Sequence, residues 1–370
     1  MQHPVEDRGQ ADGAPERSAS GVSRRRLLTG AAAGSVALAL PPLAGAADAV
    51  AAKSGGAAAS GVKPSGSQSL SGTQYEIRSG DRTAVVTELG AGLRSLTVAG
   101  RQMLDTYPAD FYPTGETYGQ LLAPWPNRIA GATYEFEGTK EELPINEPST
   151  GNAIHGLTRW MNWEPVERHR DRIVMGLTLH AQPGYPFVVE MRQEYALRGG
   201  GLTVRNTATN VGPSPAPYGV GNHPYFTVGS AKIDSDLLKL PVSTYFKTTK
   251  GNIPILPAVS VQGTPYDFRT LKAIGDTVMD TGFAGLIRDP DGWARVIYAA
   301  AAGSPTITVA LDRAHRYLQV YTGDTLSSKR RKGLAIEPYT CASNAFNNHL
   351  GLRVLKPGES FSSTFTVTVA

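Results

Sequence analysis

The chain has 370 residues, of which 41% are hydrophobic and 18% are charged, and its formal net charge is +4. This hydrophobic content is ample for a sizeable core, and one large all-β domain is as plausible at this length as two smaller domains. The charges are interspersed, which argues against a nucleic-acid-binding surface. The single cysteine, Cys341, excludes an intrachain disulfide and a cysteine-based zinc site. A small buried hydrophobic residue is its favoured interpretation, ahead of a reactive thiol.

Residues 1–46 have the pattern of an export signal. Arg24, Arg25 and Arg26 precede a run of Ala, Gly, Val and Leu that reaches Leu43, and small residues follow at positions 44–46. A twin-arginine region, a modest apolar stretch and small residues predict export by the twin-arginine route, and therefore a periplasmic or extracellular location. An uncleaved N-terminal anchor is the alternative. Beyond this signal we predict no membrane attachment.

Residues 47–72 are dominated by Ala, Gly and Ser. Such a stretch buries too little apolar surface to offset the entropy cost of ordering, and we predict a disordered linker. Residues 73–370 then form the folded domain. A basic run at residues 329–332 is predicted to be a solvated hairpin tip, with an anionic partner as the less favoured interpretation.

Alternation of apolar and polar residues dominates the domain. Val189, Met191, Tyr195 and Leu197 fall on one face of a strand, and the final segment repeats the pattern. Gly and Pro punctuate these segments, and only residues 267–274 suggest a helical turn or two. The sequence contains no Gly-rich phosphate loop and no internal repeat of fixed period. The pattern therefore predicts an all-β protein, a large antiparallel β-sandwich with few short helices.

Two segments carry candidate chemistry. In residues 219–226 (GVGNHPYF) an apolar strand ends at His223, and in residues 335–339 (AIEPY) another strand contains Glu337. An imidazole and a carboxylate that folding brings together form an acid–base pair that works near neutral pH. The structural alternatives are a buried, hydrogen-bonded histidine and an exposed glutamate at a strand end.

Two further segments, residues 123–131 (APWPNRIAG) and 153–157 (AIHGL), precede these two. The ordered set PNRIAG, HG, NHPYF and EPYTCASNAFNN resembles the aldose 1-epimerase (galactose mutarotase) family, from about residue 74 to the C-terminus. The resemblance implies the galactose mutarotase-like supersandwich, with a sugar site in a cleft on one concave face. The sequence differs from many members of this family at two places. One is residues 339–344, where many relatives carry a Met and two prolines, and the other is Asn222.

The resemblance implies roles for individual residues. Glu337 matches the family's base and His223 its acid. His155 matches the second active-site histidine, with a turn histidine as the alternative. Arg128 matches the sugar-binding arginine, because its planar fork of donors suits two vicinal hydroxyls, with a structural ion pair as the alternative.

Four more residues are candidates for contact with the sugar. Asp280 aligns loosely with the family's hydroxyl-binding aspartate, and Asp276 competes with it. Lining residues are expected at Asn127, Trp160 and Tyr225, although ordinary core packing is at least as good an interpretation of each. The remaining histidines, at positions 169, 180, 315 and 349, are interpreted as surface or packing residues.

The implied function is an aldose 1-epimerase, an isomerase that interconverts the α and β anomers of free hexoses such as glucose and galactose. Acid–base ring opening and reclosure needs neither cofactor nor metal, and the implied partner is a small-molecule sugar bound by a monomer or weak dimer. The alternatives are a hexose-6-phosphate 1-epimerase and a non-catalytic carbohydrate-binding sandwich. A glycosidase is disfavoured, because it normally needs two carboxylates and only Glu337 has motif support.

Overall fold

A computed structural model describes residues 69–110 and 117–370. The predicted export signal and most of the predicted linker lie outside these residues. The end of the predicted linker contacts the domain: Ser71 is buried, and the side-chain amide of Gln74 donates a hydrogen bond to its hydroxyl at 2.9 Å. No helix in the described ranges is long and apolar enough to cross a membrane.

Strands are the main regular secondary structure in the first half of the described chain, and their alternating apolar residues explain why. They are β1 (Gln74–Ser79), β2 (Arg82–Thr87), β3 (Leu93–Val98), β4 (Arg101–Gln102), β5 (Leu121–Leu122), β6 (Arg128–Ile129), β7 (Thr133–Phe136), β8 (Thr139–Glu142), β9 (Ala153–Ile154), β10 (Glu164–Arg168), β11 (Arg172–Leu179), β12 (Val189–Arg198) and β13 (Gly201–Asn210).

The second half continues in the same way. Its strands are β14 (Ala216–Tyr218), β15 (Gly221–Asn222), β16 (Tyr225–Phe226), β17 (Leu237–Lys239), β18 (Val242–Thr248), β19 (Pro254–Ser260), β20 (Lys272–Ala273), β21 (Asp280–Leu286), β22 (Ala294–Ala299), β23 (Thr306–Leu311), β24 (Tyr317–Tyr321), β25 (Leu334–Tyr339), β26 (Arg353–Leu355) and β27 (Ser360–Val369). Helical structure in the described ranges is confined to α1 (Ala345–Asn348) and two 3₁₀ turns, Ala130–Ala132 and Ile233–Ser235.

Two large antiparallel sheets form a sandwich, as the sequence predicts. A nine-stranded sheet has the order β10-β11-β12-β13-β27-β23-β22-β17-β20. An eight-stranded sheet has the order β19-β18-β21-β24-β25-β15-β5, with β16 also paired with β25. A four-stranded sheet, β1 to β4, and three two-stranded ladders (β14-β26, β6-β9 and β7-β8) complete the domain. One hydrophobic core takes side chains from both large sheets.

The predicted alternation in β12 is confirmed. Val189, Met191, Tyr195 and Leu197 are all buried, whereas Arg192 between them is exposed. Because successive side chains of a strand point to opposite faces, this pattern places the apolar set in the core.

The helical turn predicted at residues 267–274 is wrong. The carboxylate of Asp267 accepts two hydrogen bonds from the side chain of Arg269, and the carbonyl of Phe268 accepts one from the backbone N–H of Leu240. The following strand β20 pairs with β17 at the edge of the nine-stranded sheet. Tertiary pairing therefore outweighs the weak helical tendency of this segment.

The basic run at residues 329–332 is only partly the solvated tip that the sequence predicts. Lys329 donates hydrogen bonds to the carboxylate of Asp105 and to the carbonyl of Thr106. Arg331 is buried, and its guanidinium pairs with Asp234 and Asp324. These two residues therefore anchor the loop to the domain, and the charges do not gather on an open surface.

Close packing fixes β15 against β25 in the middle of the eight-stranded sheet. A Cβ atom added at Gly219 would lie 2.3 Å from Sγ of Cys341, and one added at Gly221 would lie 2.4 Å from the ring of Tyr339. The glycines of the GVG segment thus let two strands approach closely. Cys341 is buried and burial raises the pKa of its thiol to about 12, which confirms its interpretation as an inert packing residue.

Candidate active site

The structure brings His223 and Glu337 together. His223 follows β15, Glu337 lies within β25, and the two strands pair through Gly221 and Tyr339. Nε2 of His223 lies 3.4 Å from Oε1 of Glu337, and both side chains are buried. They line one cleft of about 530 Å³. An imidazole and a carboxyl group at this separation can both reach one small reacting centre.

Burial determines where the proton of this pair resides. Desolvation raises the pKa of Glu337 to about 8, although a hydrogen bond from the hydroxyl of Tyr339 opposes the rise. Desolvation lowers the pKa of His223 to about 3, and the charge of Arg159 acts in the same direction. Near pH 7 the substrate-free pair therefore holds one proton, on the carboxyl group. This is the reverse of the arrangement in which Glu337 starts as base and His223 as acid.

His155 is held by Asn127 through two reciprocal hydrogen bonds. The backbone N–H of Asn127 donates to Nδ1 of His155 at 3.2 Å, and the backbone N–H of His155 donates to the carbonyl of Asn127 at 2.8 Å. Because Nδ1 accepts, a neutral imidazole must carry its proton on Nε2. Burial is the main cause that lowers the pKa of His155 well below its usual value, and the charge of the nearby Arg159 acts in the same direction. His155 is therefore a neutral donor in the cleft wall.

Arg128 combines the two interpretations that the sequence leaves open. Its guanidinium donates to both carboxylate oxygens of Glu147, at 2.8 Å and 2.7 Å, so it forms a structural ion pair. It also lines the cleft, with Nη1 at 3.8 Å from Oδ2 of Asp280. Burial alone would raise the pKa of Glu147, but the hydrogen bonds from Arg128 and Thr150 lower it. The pair is thus ionised, and Nη1 remains directed toward Asp280.

Asp280, at the start of β21, lines the cleft, whereas its competitor Asp276 is not among the described lining residues. Its Oδ1 accepts a hydrogen bond of 2.6 Å from the side-chain amide of Gln319, and its Oδ2 accepts one of 3.4 Å from Asn252. These contacts orient the carboxylate while its side chain remains 40% exposed. It is well placed to accept hydrogen bonds from hydroxyl groups of a ligand.

The three predicted lining residues have different surroundings. Asn127 and Tyr225 line the cleft, and the ring of Tyr225 stacks on His223 with centroids 5.0 Å apart. Trp160 does not line the cleft that the described residues form. Its ring lies under the guanidinium of Arg159, 4.9 Å from the ring centroid, and it is Arg159 that reaches the cleft. Trp160 therefore contacts a lining residue without lining the cleft itself.

Four residues at or beside the cleft were not predicted from the sequence: Glu147, Arg159, Gln319 and Tyr339. The first three lie in no recognisable motif, and only the folded chain brings them to the cleft or to its polar residues. Tyr339 could have been found, because it follows Glu337 by two positions in the same strand and so shares its face.

The departures from the family pattern at residues 339–344 have structural partners. The hydroxyl of Ser343 donates to Oδ1 of Asn127 at 2.8 Å. The side chain of Asn344 accepts from the backbone N–H of Ala130 at 3.0 Å, and its own backbone N–H donates to the carbonyl of Arg128 at 2.6 Å. The segment after Glu337 therefore fixes the segment that carries Asn127 and Arg128. Within the described ranges no cluster of three or more His, Cys, Asp or Glu side chains could hold a metal ion.

The fold and the cleft define an antiparallel β-sandwich protein with an adjacent imidazole and carboxyl group among other polar side chains. Residues 73–368 match the family model for aldose 1-epimerase, which is most of the chain. The Escherichia coli protein YihR, described as uncharacterized, is 33% identical over 298 residues, which cover 80% of this chain and 93% of YihR. The chain belongs to the aldose 1-epimerase family.

Other comparisons agree with this assignment. The aldose 1-epimerase of Escherichia coli is 28% identical over 166 residues, or 42% of this chain and 46% of that enzyme. A GalM/aldose epimerase homologue from C. elegans matches with a TM-score of 0.73 at 19% identity, covering 80% of this chain and 98% of that one. Galactose 1-epimerase from Lactobacillus acidophilus matches with a TM-score of 0.67 at 18% identity, and the match covers 80% of this chain and 94% of that one. These structures show that the fold is galactose mutarotase-like.

Proposed function

We propose that the protein is an aldose 1-epimerase that interconverts the α and β anomers of free aldohexoses such as glucose and galactose. The observation that carries the proposal is the 3.4 Å separation between Nε2 of His223 and Oε1 of Glu337 at a polar cleft. Around this pair, His155 offers a neutral donor, Arg128 a cationic one, and Asp280 an acceptor. A sugar ring carries hydroxyls that need donors and acceptors of this kind.

The reaction moves one proton within the pair and returns it. A base removes the proton of the anomeric hydroxyl while an acid protonates the ring oxygen, the C1–O5 bond breaks, and an open-chain aldehyde forms. After rotation about C1–C2 the groups exchange roles, the ring oxygen attacks the other face, and the proton positions are restored. General acid–base assistance is worth roughly 10²–10⁴-fold per group.

The number of protons on the pair decides when it can work. One proton shared between Glu337 and His223 provides one acid and one base, and the burial effects on their pKa values maintain this state between about pH 3 and 8. We assign Glu337 as the base that meets the anomeric hydroxyl and His223 as the acid. In this assignment the carboxyl proton passes to the imidazole when the sugar binds, and the hydroxyls of the sugar stabilise the carboxylate.

The charges of the cleft favour an uncharged sugar over a phosphate ester. Its described lining includes the carboxyl groups of Glu147, Asp280, Asp324 and Glu337 but only two guanidinium groups. One of these, on Arg128, is already held at two points by Glu147. We further propose that the protein acts outside the cytoplasm, on the basis of the twin-arginine pattern at residues 24–26.

Polarimetry on freshly dissolved α-glucose and α-galactose tests the activity. We expect the purified protein to accelerate relaxation to the equilibrium rotation, and Glu337→Gln and His223→Ala to lose at least about 100-fold of that acceleration. Glu135→Gln, on the exposed side of β7, is the matched control and should behave as the wild type. Sugar binding without faster relaxation would identify a carbohydrate-binding module. Acceleration confined to glucose 6-phosphate would identify the phosphohexose enzyme.

A further inference from the structure

Tyr339 is buried beside Glu337 and faces it from the same strand. The two residues are separated by one position in β25, so their side chains project from the same face. The hydroxyl of Tyr339 donates a short hydrogen bond to Oε2 of Glu337, while Oε1 is the atom directed toward His223. The two carboxyl oxygens therefore have different partners.

We propose that Tyr339 is a positioning residue that sets the proton affinity of Glu337 and leaves Oε1 free for the sugar. The effect of Tyr339 on the proton affinity of Glu337 follows from the geometry alone. Its importance for catalysis rests on the proposed function. A phenol that donates to one carboxylate oxygen stabilises the ionised carboxylate and fixes the rotation of the carboxyl plane.

The tyrosine is itself fixed. Its ring lies against the backbone of Gly221, where any Cβ atom would come within 2.4 Å of it, and only 2% of the residue is exposed. Burial and the neighbouring Glu337 raise the pKa of its hydroxyl well above the usual value, so near neutral pH the hydroxyl keeps its proton and can donate it. A hydroxyl held in this way loses little entropy in making the contact.

The charged and titratable groups that face Glu337 act in opposite directions. Burial raises the pKa of Glu337, and the charge of Asp280 adds to that rise. The hydrogen bond from Tyr339 and the charge of Arg128 lower it, and His223 lies 3.4 Å away on the cleft side. Among these groups, Tyr339 makes the hydrogen bond to Oε2, so its loss should change the proton affinity of the carboxyl group directly.

Tyr339→Phe removes the hydroxyl and keeps the ring. Titration of the wild type and the variant, both labelled with ¹³C at the glutamate side-chain carboxyl, follows Glu337 directly, with its signal assigned by its loss in Glu337→Gln. We expect the midpoint of Glu337 to rise by about one pH unit, the effect of one hydrogen bond to a charged group. Tyr317→Phe is the matched control, because Tyr317 is the cross-strand neighbour of Tyr339 and lies outside the cleft lining.

Kinetics give the second readout. The basic limb of the pH profile of kcat/KM should move to higher pH in Tyr339→Phe, because that limb reports loss of the pair's last proton. The plateau should fall by about tenfold if Glu337 is the starting base, since the ionised carboxylate becomes rarer. If Tyr339→Phe only loosened the packing, kcat/KM would fall at every pH, and the basic limb of its pH profile would stay at the same pH.

The two proposals can fail separately. A Glu337 midpoint that moves no more in Tyr339→Phe than in Tyr317→Phe overturns the role of Tyr339, whether or not the protein is an epimerase. A clear shift of that midpoint in a protein that accelerates no mutarotation overturns the proposed function and leaves the coupling between Tyr339 and Glu337 standing.

Discussion

Arg128 and Glu147 form a two-point ion pair across 19 residues of sequence, with N–O distances of 2.8 Å and 2.7 Å. The geometry uses Nε and Nη2 of the guanidinium and leaves Nη1 on the side of Asp280. A planar fork held at one edge presents its remaining donor in a fixed direction. Glu147 therefore fixes the direction in which Nη1 of Arg128 points.

Glu147→Gln should weaken sugar binding and destabilise the domain. The side chain of Arg128 is only 10% exposed, so loss of its partner leaves a nearly buried charge, which costs about 3–5 kcal/mol in fully buried pairs. Asp280 reduces that cost, and we expect about 1–3 kcal/mol by urea unfolding. KM should rise by about tenfold or more with kcat changed much less.

The matched control for this variant is Glu142→Gln. Glu142 pairs with Lys140 on the exposed strand β8, where both side chains are more than two-thirds solvent-accessible, at 72% and 67%. Such a surface pair contributes about 0–1 kcal/mol, so neither stability nor kinetics should change appreciably. Equal effects of Glu147→Gln and Glu142→Gln on KM would contradict an aiming role for Glu147.

His155→Asn tests the neutral donor without straining the backbone. His155 has a φ of 62°, a left-handed conformation that Asn tolerates better than most residues. We expect little change in melting temperature but a rise in KM of about tenfold, the value of one lost hydrogen bond to the sugar. His349→Asn is the control, since His349 has a φ of 59° and follows α1 outside the cleft lining. Similar kinetics for the two variants would remove His155 from the binding site.

The sequence predicts much of the fold and part of the site. Alternation identified the half-buried strands because one face of each large sheet packs in the core. His223 and Glu337 were found because each lies in a short segment with its own local constraints, such as the prolines at 224 and 338. Asn127 and Arg128 were found because their segment resembles a motif of a known family. The structure then shows that these segments share one cleft.

Contacts that depend on tertiary register were not predictable. Gln319 reaches Asp280 because β24 pairs with β21 in a register that neither strand's own sequence specifies. The location of the pair's proton was missed for a related reason. The ordinary pKa of a glutamate describes a solvated carboxyl group, and the burial that raises the pKa of Glu337 to about 8 exists only in the folded chain.

Glu337→Gln should stabilise the protein, and by more as the pH rises. The folded protein keeps the carboxyl proton up to about pH 8, whereas the unfolded chain releases it near 4.5. The folded state therefore binds more protons in this window, and wild-type stability falls as pH rises, by at most about 1.4 kcal/mol per unit. Glutamine cannot titrate and escapes this loss.

Urea unfolding of both proteins at pH 5, 6.5 and 8 measures the difference. The lowered pKa values of His155 and His223 affect stability below the ordinary histidine value of 6.5 and are present in both proteins, so their contributions largely cancel. A stability difference that stays constant with pH, or that shrinks from pH 5 to pH 8, would show that Glu337 is not held protonated by burial.

Gly221→Ala should impair both stability and catalysis because the added methyl group has no space. Its Cβ would lie 2.4 Å from the ring of Tyr339 and 2.9 Å from Cβ of Pro126, and β15 must shift to admit it. Overpacking of this kind costs about 1–3 kcal/mol. The same shift moves His223, two residues further along, away from its 3.4 Å approach to Glu337.

Gly251→Ala is the control, because the nearest atom to its added Cβ would be 3.7 Å away and the backbone of Gly251 is not left-handed. Equal melting temperatures and equal rates of sugar turnover for Gly221→Ala and Gly251→Ala would show that the close approach of β15 to β25 does not hold His223 and Glu337 together.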